Sequence, residues 1–209
     1  MSMGLGRLWN DHALPRLADR SLRGHEVGRL RADACAGLHG RVLEIGFGSG
    51  LNVRFYPDQV ACVDAVEPAD VSWALSERRR DRSDVPVRRT GLDGQRLDAD
   101  SDAYDAVLTT FTLCPIPDVA AALAEVRRVL RPGGAVHFLE HGLAPQPEVV
   151  RWQRRLEPWQ RRLAGGCHLT RHVPTLLVEA GLHVESVTEQ PLAGTGRPWG
   201  WMYLGRATA

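Results

Sequence analysis

After position 40, the chain alternates short apolar runs with segments whose apolar residues recur at a helical period. The apolar runs occupy residues 41–45, 60–66, 85–89, 104–110, 135–139, 183–188 and 199–205. Strands that alternate with helical segments are typical of a parallel sheet with crossover helices. The last two runs are joined by only about ten residues, too few for a helical crossover. The pattern therefore predicts an α/β fold that closes with two antiparallel strands.

Capping signals place two of the helices between these runs. Asp118 is expected to cap a helix that continues to residue 130, where a Pro-Gly-Gly segment ends it. Thr170 is expected to cap a second helix, which ends at Ala180 with Gly181 just beyond it.

The length of 209 residues fits one domain, and the pattern divides it into four parts. Residues 1–40 have helical periodicity and predict an N-terminal helical cap. We expect residues 41–140 to form the cofactor-binding core. Residues 141–181 are expected to form a helical insertion, and residues 182–209 a closing β-hairpin.

The insertion contains an apolar stripe with arginines between its members. Its residues step by three or four positions: Val149, Trp152, Leu156, Trp159 and Leu163. We favour a lid that packs this stripe on the carboxyl edge of the sheet. Contact of 149–163 with an anionic membrane surface is the second interpretation, and simple packing with a solvated basic face is the third. Pro158 is expected to kink or split the helix.

Composition excludes several function classes. With 26 basic and 25 acidic residues the formal net charge is +1, so no nucleic-acid partner is expected. All 26 of the Lys and Arg residues are arginine, so the sequence contains no lysine. This excludes a Schiff-base mechanism and the lysine of a P-loop. The four cysteines form no CxxC or clustered Cys/His motif, so we expect free thiols and no metal. No run approaches the roughly 18 apolar residues of a membrane span, and we expect a cytoplasmic protein.

A glycine-rich turn follows the first predicted strand, with the sequence Glu-Ile-Gly-Phe-Gly-Ser-Gly at 44–50. Gly46, Gly48 and Gly50 would let the backbone approach a nucleotide-like ligand, and a simple tight turn is the less favoured alternative. A dinucleotide motif needs its third glycine at the position of Leu51, which disfavours NAD. Glu44 ends a buried strand, where a carboxylate needs a cationic or hydrogen-donating partner such as a ligand ammonium group.

Acidic residues follow the second and third predicted strands. Glu67, followed by Pro68, ends the second strand, where a carboxylate can accept both hydroxyls of a ribose. Asp64 is the alternative ribose ligand, and a solvated acid is the plain interpretation of Glu67. Asp93 can accept from an adenine amine, while the N–H of Gly94 donates to a ring nitrogen.

These sites together match the parts of S-adenosylmethionine, namely an amino acid end, a ribose and an adenine. Thr110 and Phe111, which end the fourth strand, are expected to line the methionine part, with Phe111 as a plain core residue the alternative.

The motif order resembles that of class I S-adenosylmethionine-dependent methyltransferases. Five segments carry the resemblance: 44–50, 67–68, 93–97, 104–110 and 126–134. It implies a Rossmann-like, seven-stranded sheet with an antiparallel last strand, and methyl transfer that yields S-adenosylhomocysteine.

The second half resembles the methyltransferase-like seven group, whose animal members are thiol S-methyltransferases. Its matching positions are 113–114, 140–141, 152–153, 157–158, 166–167 and 169–171. We expect no counterpart of the membrane-anchoring N-terminal segment of those animal proteins, so neither their location nor their exact substrate is expected to transfer.

Few residues stand out on the acceptor side. His141 is our candidate base or orienting donor, with a capping or core histidine as the equal alternative. Cys114 follows the fourth strand but is assigned to packing. Cys167 and His168 are adjacent, so their side chains should point apart rather than form a nucleophilic pair.

The sequence therefore predicts methyl transfer to a small molecule, preferably a thiol. Two alternatives remain: O- or N-methylation of a lipid or aromatic metabolite, and a non-catalytic S-adenosylmethionine-binding module.

Overall fold

The computed structural model describes residues 9–209. The first eight residues of the predicted N-terminal cap lie outside the described residues. From Trp9 onward the cap is helical, as predicted, with one π-helical turn at Trp9–Ala13 followed by two α-helices.

A seven-stranded sheet forms the centre of the fold, with strand order β3-β2-β1-β4-β5-β7-β6. Its strands are β1 (Gly40–Ile45), β2 (Val60–Val66), β3 (Val87–Gly91), β4 (Tyr104–Thr110), β5 (Leu130–His141), β6 (His183–Pro191) and β7 (Trp201–Thr208). The first five strands pair in parallel, whereas β7 is antiparallel to both β5 and β6. The predicted Rossmann-like sheet with an antiparallel last strand is confirmed.

Residues 9–209 contain six α-helices and one 3₁₀ turn at Val53–Phe55, and the first two of these helices precede β1. The helices are α1 (Leu14–Ser21), α2 (His25–Cys35), α3 (Asp70–Arg80), α4 (Val119–Val129), α5 (Pro147–Leu163) and α6 (Val173–Glu179). None of the helices in the described part of the chain is both long enough and apolar enough to cross a membrane.

The core lies on both faces of the central strands, because their side chains alternate between two helical layers. Val42 and Leu108 face the layer that contains Leu30 of α2. Leu43 faces the opposite layer, with Leu123 of α4. Each such side chain, when fully buried, stabilises the fold by roughly 1.5–3 kcal/mol. Parallel pairing of β1 with β4, in which Ile45 lies opposite Thr109, places the carboxyl ends of these two strands side by side.

Several element ends differ from the predictions. β5 begins at Leu130, before the Pro-Gly-Gly segment, because Leu130 already pairs with Tyr104. The cap of α6 is His172, whose ring accepts from the N–H of Thr175. Thr170 was the wrong cap, since its hydroxyl bonds Glu157 instead.

Two other helix signals can be compared with the structure. Asp118 caps α4 as predicted, with its carboxylate accepting from Ala121 N at 2.9 Å. Gly181 follows α6 in the left-handed region, with φ of 79°. Of the two expectations for Pro158, a split of the helix is wrong because α5 continues through it, and a kink stays a prediction.

Candidate active site

A cleft of about 940 Å³ opens at the carboxyl ends of the parallel strands. The chain runs outward from β1 through β2 to β3 and then crosses back past β1 to β4. The strand order therefore reverses beside β1, and such a switch point forms the ligand crevice of an open α/β sheet. Nine predicted site residues line the cleft: Gly46, Gly48, Glu67, Pro68, Asp93, Gly94, Thr110, Phe111 and His141. Two do not, Glu44 and Gly50.

The glycine-rich turn after β1 needs its glycines for two reasons. Gly46 has φ of 72°, and a side chain there would overlap Thr112 of the neighbouring turn. Gly48 has φ of 60° but faces open space, because a Cβ at this position would have no atom closer than 3.8 Å. The turn therefore exposes bare backbone to the cleft at Gly48, as ligand binding through main-chain groups requires.

Glu67 joins the glycine-rich turn to the end of β2. Its carboxylate accepts from Gly48 N at 2.6 Å and from Ala69 N at 2.8 Å, one N–H on each oxygen. Burial raises the pKa of Glu67 even though both backbone bonds oppose the shift. Each oxygen keeps a second lone pair, so the carboxylate can still accept two hydroxyls of a diol.

Asp93 lies on the exposed rim of the same cleft, after β3. One carboxylate oxygen accepts from the backbone N–H of Gln95 at 2.9 Å and from its side-chain amide at 3.0 Å. These bonds from Gln95 lower the pKa of Asp93. The other oxygen has no bond within the described residues and is available to an amine donor.

Asp64, the alternative ribose ligand, lies away from the cleft. Its buried carboxylate accepts from Arg41, Arg88 and the hydroxyl of Tyr104. These bonds bind β2 to its neighbours on both sides. Glu67 is therefore the carboxylate that faces the cleft from β2.

Glu44 is fully buried behind the cleft and already has partners. Asn52 donates to one oxygen at 2.9 Å and Tyr56 donates its hydroxyl to the other. Burial raises the pKa of Glu44 to about 7, while these bonds and nearby Arg31 oppose the rise. The strand end therefore supplies hydrogen donors for Glu44, one of the two kinds of partner expected, and contact with a ligand ammonium group stays a prediction.

Arg31 of α2 is a functional candidate that sequence reasoning missed. Its guanidinium is buried, lines the cleft, and donates to Asn52 Oδ1 at 2.7 Å and Thr110 Oγ1 at 2.9 Å. Its Nε has no partner within the described residues. Burial lowers the pKa of Arg31 to about 10, so it is charged at neutral pH. The available signal was an arginine between Leu30 and Ala34 on the apolar face of a helix.

Comparison with known proteins identifies the family to which this chain belongs. Residues 43–138 match a family model described as "Methyltransferase domain". Thiol S-methyltransferase TMT1B of Homo sapiens is 34% identical over 82% of this chain and 72% of that protein. The chain belongs to the class I S-adenosylmethionine-dependent methyltransferases, in the TMT1 group.

The names of the relatives include more than one class of methyl acceptor. Rat TMT1B (Rattus norvegicus) is 34% identical over 78% of this chain, which spans 66% of that relative. A phosphatidylethanolamine N-methyltransferase from Cereibacter sphaeroides is 26% identical, over 75% of this chain and 76% of its own. A methyltransferase solved with the Haloferax volcanii Trm112 activator has a TM-score of 0.71 at 17% identity, over 100% of this chain and 99% of its own.

In this methyltransferase fold, Thr110 and Phe111 turn the chain into the cleft after β4. Phe111 has φ of 55°, an uncommon value for an aromatic residue and a sign of local strain. The guanidinium of Arg31 lies 5.2 Å from its ring centre. Glu140 anchors the turn by accepting from Thr112 N at 2.8 and 3.0 Å.

The cleft of the methyltransferase also contains a cysteine–histidine cluster that consists of Cys114, His141 and Cys167. His141 Nε2 lies 2.9 Å from Cys167 Sγ, and the three donor atoms all lie within 4.8 Å of one another. Contacts from Cys114 and His141 lower the pKa of Cys167, whereas that of Cys114 is raised. His168 turns away to Glu157, as expected for neighbours that point apart.

The insertion lines part of the cleft through Gln160, Ala164 and Cys167, and the most buried side chain of α5 is not in the predicted stripe. Gln153 is fully buried, and its amide bonds Ala144 N, Gly142 O and Pro198 O. Trp152 and Trp159 are 55% and 66% exposed. The expectation that the whole tryptophan stripe packs on the sheet is wrong, because a polar residue occupies the buried face.

The N-terminal cap also closes over the cleft. Trp9 Nε1 donates to Leu163 O at 2.7 Å, which joins the cap to the end of α5. Asp19 of α1 accepts from Ser49 Oγ at 2.7 Å, in the glycine-rich turn. The cleft is therefore bounded by the N-terminal helices and by the end of α5.

Proposed function

We propose that the protein transfers the methyl group of S-adenosylmethionine to a small acceptor, preferably a thiol, and releases S-adenosylhomocysteine. The strand order supports this most directly. Along the edge β3-β2-β1-β4-β5, it arranges Asp93, Glu67, the glycine-rich turn, Thr110 and His141. This order matches adenine, ribose, amino acid end and acceptor, taken from one end of the cleft to the other.

The side chains have complementary tasks in holding the donor. Glu67 accepts the two ribose hydroxyls, and Asp93 accepts from the adenine amine. Arg31 pairs its guanidinium, with the unpartnered Nε, to the donor carboxylate. The bound donor supplies an electrophilic methyl group on a sulfonium. Holding donor and acceptor in line is worth roughly 7–11 kcal/mol in favourable systems.

A thiol acceptor agrees with the names of the TMT1B relatives and with the site's chemistry. An unperturbed thiol, with a pKa of about 8.5, is already a few per cent thiolate at neutral pH. The protein then needs a group that orients the sulfur more than it needs a strong base. His141 lines the acceptor end of the cleft and is assigned that role.

Calorimetry and an acceptor screen test the proposal together. We expect S-adenosylmethionine and S-adenosylhomocysteine to bind and NAD to give no heat. Alkyl thiols, phenols and amines are then compared at equal concentration, with the methylated product measured by mass spectrometry. Turnover of thiols supports the proposal. Turnover of phenols or amines alone contradicts the acceptor class, and donor binding without any product favours a binding module.

A second acceptor class, a lipid or an aromatic metabolite methylated on oxygen or nitrogen, is favoured by one observation. Trp152 and Trp159 are exposed on α5 among arginines, a combination suited to an anionic membrane surface. Sedimentation with phosphatidylglycerol vesicles tests this surface, with phosphatidylcholine vesicles as control. Binding that is lost in a Trp152→Ser/Trp159→Ser variant would favour the lipid class, and no binding would oppose it.

A further inference from the structure

Three separate segments supply the cysteine–histidine cluster. Cys114 follows β4, His141 ends β5, and Cys167 follows α5. Both cysteine side chains are almost fully buried, at 5% and 7% exposure, yet all three residues line the cleft. Their donor atoms lie within 4.8 Å of one another, and His141 Nε2 lies 2.9 Å from Cys167 Sγ.

Two sulfurs and one imidazole nitrogen are a donor set that zinc prefers. Ligand atoms of a tetrahedral zinc ion lie about 3.5–3.8 Å apart, given its bond lengths to sulfur and nitrogen. The cluster therefore reaches that geometry with shifts of about 1 Å or less. Structural zinc sites have four protein ligands, whereas catalytic sites have three and keep one position open. Among residues 9–209 this group has three members.

Backbone bonds hold the segments that present the two thiols. His168 N donates to Cys114 O at 3.0 Å, which links the two cysteine segments directly. The guanidinium of Arg171 also donates to Cys114 O at 3.0 Å. A site whose ligands are positioned by such bonds needs little reorganisation to bind an ion.

A side chain also reaches the sulfur of Cys167 from α5. Gln160 Nε2 donates to Cys167 Sγ at 3.5 Å. Gln160 is fixed in turn by Trp199, whose ring N–H donates to the amide oxygen at 3.1 Å. An outer donor of this kind is typical around metal-bound thiolates.

We propose that Cys114, His141 and Cys167 bind a zinc ion whose fourth coordination position faces the cleft and takes the acceptor thiol. The second part of this proposal rests on the proposed function. Zinc deprotonates a coordinated thiol at neutral pH, so the S–H proton passes to solvent. The acceptor sulfur then forms a bond to the methyl carbon while the C–S⁺ bond of the donor breaks, and that electron pair stays on the sulfur of S-adenosylhomocysteine.

Metal titration tests the site without measuring turnover. The reduced protein is stripped with a chelator and then titrated with Zn²⁺ in competition with a chromophoric chelator. We expect one ion per chain, with affinity at least about 100-fold weaker in Cys114→Ser, Cys167→Ser and His141→Asn. Cys62→Ser is the matched control, because Cys62 is a partly buried thiol on β2 that does not line the cleft. Equal Zn²⁺ affinity in Cys167→Ser and the parent protein would overturn the proposal.

Cobalt substitution tests the open position. Co²⁺ bound by the cluster is expected to show thiolate-to-cobalt absorption that grows when an alkyl thiol is added and is unchanged by a phenol. No response to the thiol would overturn the acceptor part. Calorimetry of chelator-treated and zinc-loaded parent protein with S-adenosylhomocysteine separates the two proposals. Donor binding without zinc binding contradicts this inference alone, whereas the absence of donor binding in both forms contradicts the proposed function.

Discussion

Replacing Glu67 by alanine removes the carboxylate that faces the cleft from the end of β2. In the protein this carboxylate accepts from the N–H groups of Gly48 and Ala69 and keeps one lone pair on each oxygen. The variant therefore loses two acceptors for ribose hydroxyls and two anchors of the surrounding backbone. We expect donor affinity to fall much more than global stability.

The magnitude follows from the bonds that are lost. A hydrogen bond to a charged group contributes about 1.5–3 kcal/mol, so two ribose bonds correspond to about 3–6 kcal/mol. Since each 1.4 kcal/mol is a factor of ten, the Kd of S-adenosylhomocysteine should rise by roughly 10²–10⁴. Loss of the backbone anchors adds to this figure, because the glycine-rich turn is then less well ordered.

Isothermal titration calorimetry measures the Kd, and thermal unfolding reports whether each variant is folded. Glu77→Ala is the matched control, since Glu77 is an exposed acid on α3. Glu67→Gln provides a milder change that keeps the side chain's size and one acceptor oxygen. A folded Glu67→Ala protein whose Kd stays within about threefold of the parent value, under 1 kcal/mol, would refute the ribose assignment.

Three further predictions follow from other contacts. Arg31→Met should weaken S-adenosylhomocysteine binding by about tenfold or more while leaving adenosine affinity nearly unchanged, because adenosine lacks the carboxylate; equal losses in calorimetry would contradict the pairing. Burial raises the pKa of Asp64, but hydrogen bonds from Arg41 and other donors outweigh burial and lower that pKa below its usual 3.8. Its carboxylate therefore stabilises the fold above that pH, and Asp64→Asn should reduce the free energy of unfolding by about 1–3 kcal/mol at pH 7. In denaturant titrations this difference should close as the pH falls below about 4, and a constant gap would oppose it. Gly46→Ala should lower the melting temperature more than Gly133→Ala, because both have positive φ but only Gly46 faces a side chain; equal losses would contradict the close approach.

The sheet and the gathering of Gly48, Glu67 and Asp93 at one cleft were predictable because their signals are local. A glycine-rich turn follows the first strand, and Glu67 and Asp93 follow the next two. Since carboxyl ends of parallel strands meet at one edge, strand order alone brings such residues together. The short connection before the last strand predicted the antiparallel pairing in the same way.

The acceptor side could not be predicted from spacing. Cys114, His141 and Cys167 are separated by 27 and 26 positions and form no local motif. Only the folding of two turns and α5 against each other gathers them. Arg31 was hidden for a related reason, because it occupies an apolar helix face whose neighbour is a polar network from β1 and β4.

The insertion shows how periodicity can select the wrong face. Its tryptophans follow a helical period, yet Gln153 is the residue that is fully buried. Three main-chain groups, Ala144 N, Gly142 O and Pro198 O, bond the Gln153 amide and offset the cost of burying it. A hydropathy pattern cannot detect this arrangement, since the arrangement depends on backbone groups that are distant in sequence and lie close only in the folded structure.

A crystal structure with bound S-adenosylhomocysteine tests the central claim most directly. We expect the ribose of S-adenosylhomocysteine to bind Glu67 and its adenine to lie beside Asp93. The carboxylate of the ligand should lie within hydrogen-bond distance of Arg31. The sulfur should then face the cluster of Cys114, His141 and Cys167. Binding of the nucleoside outside this cleft, or in the reverse direction along it, would contradict the account.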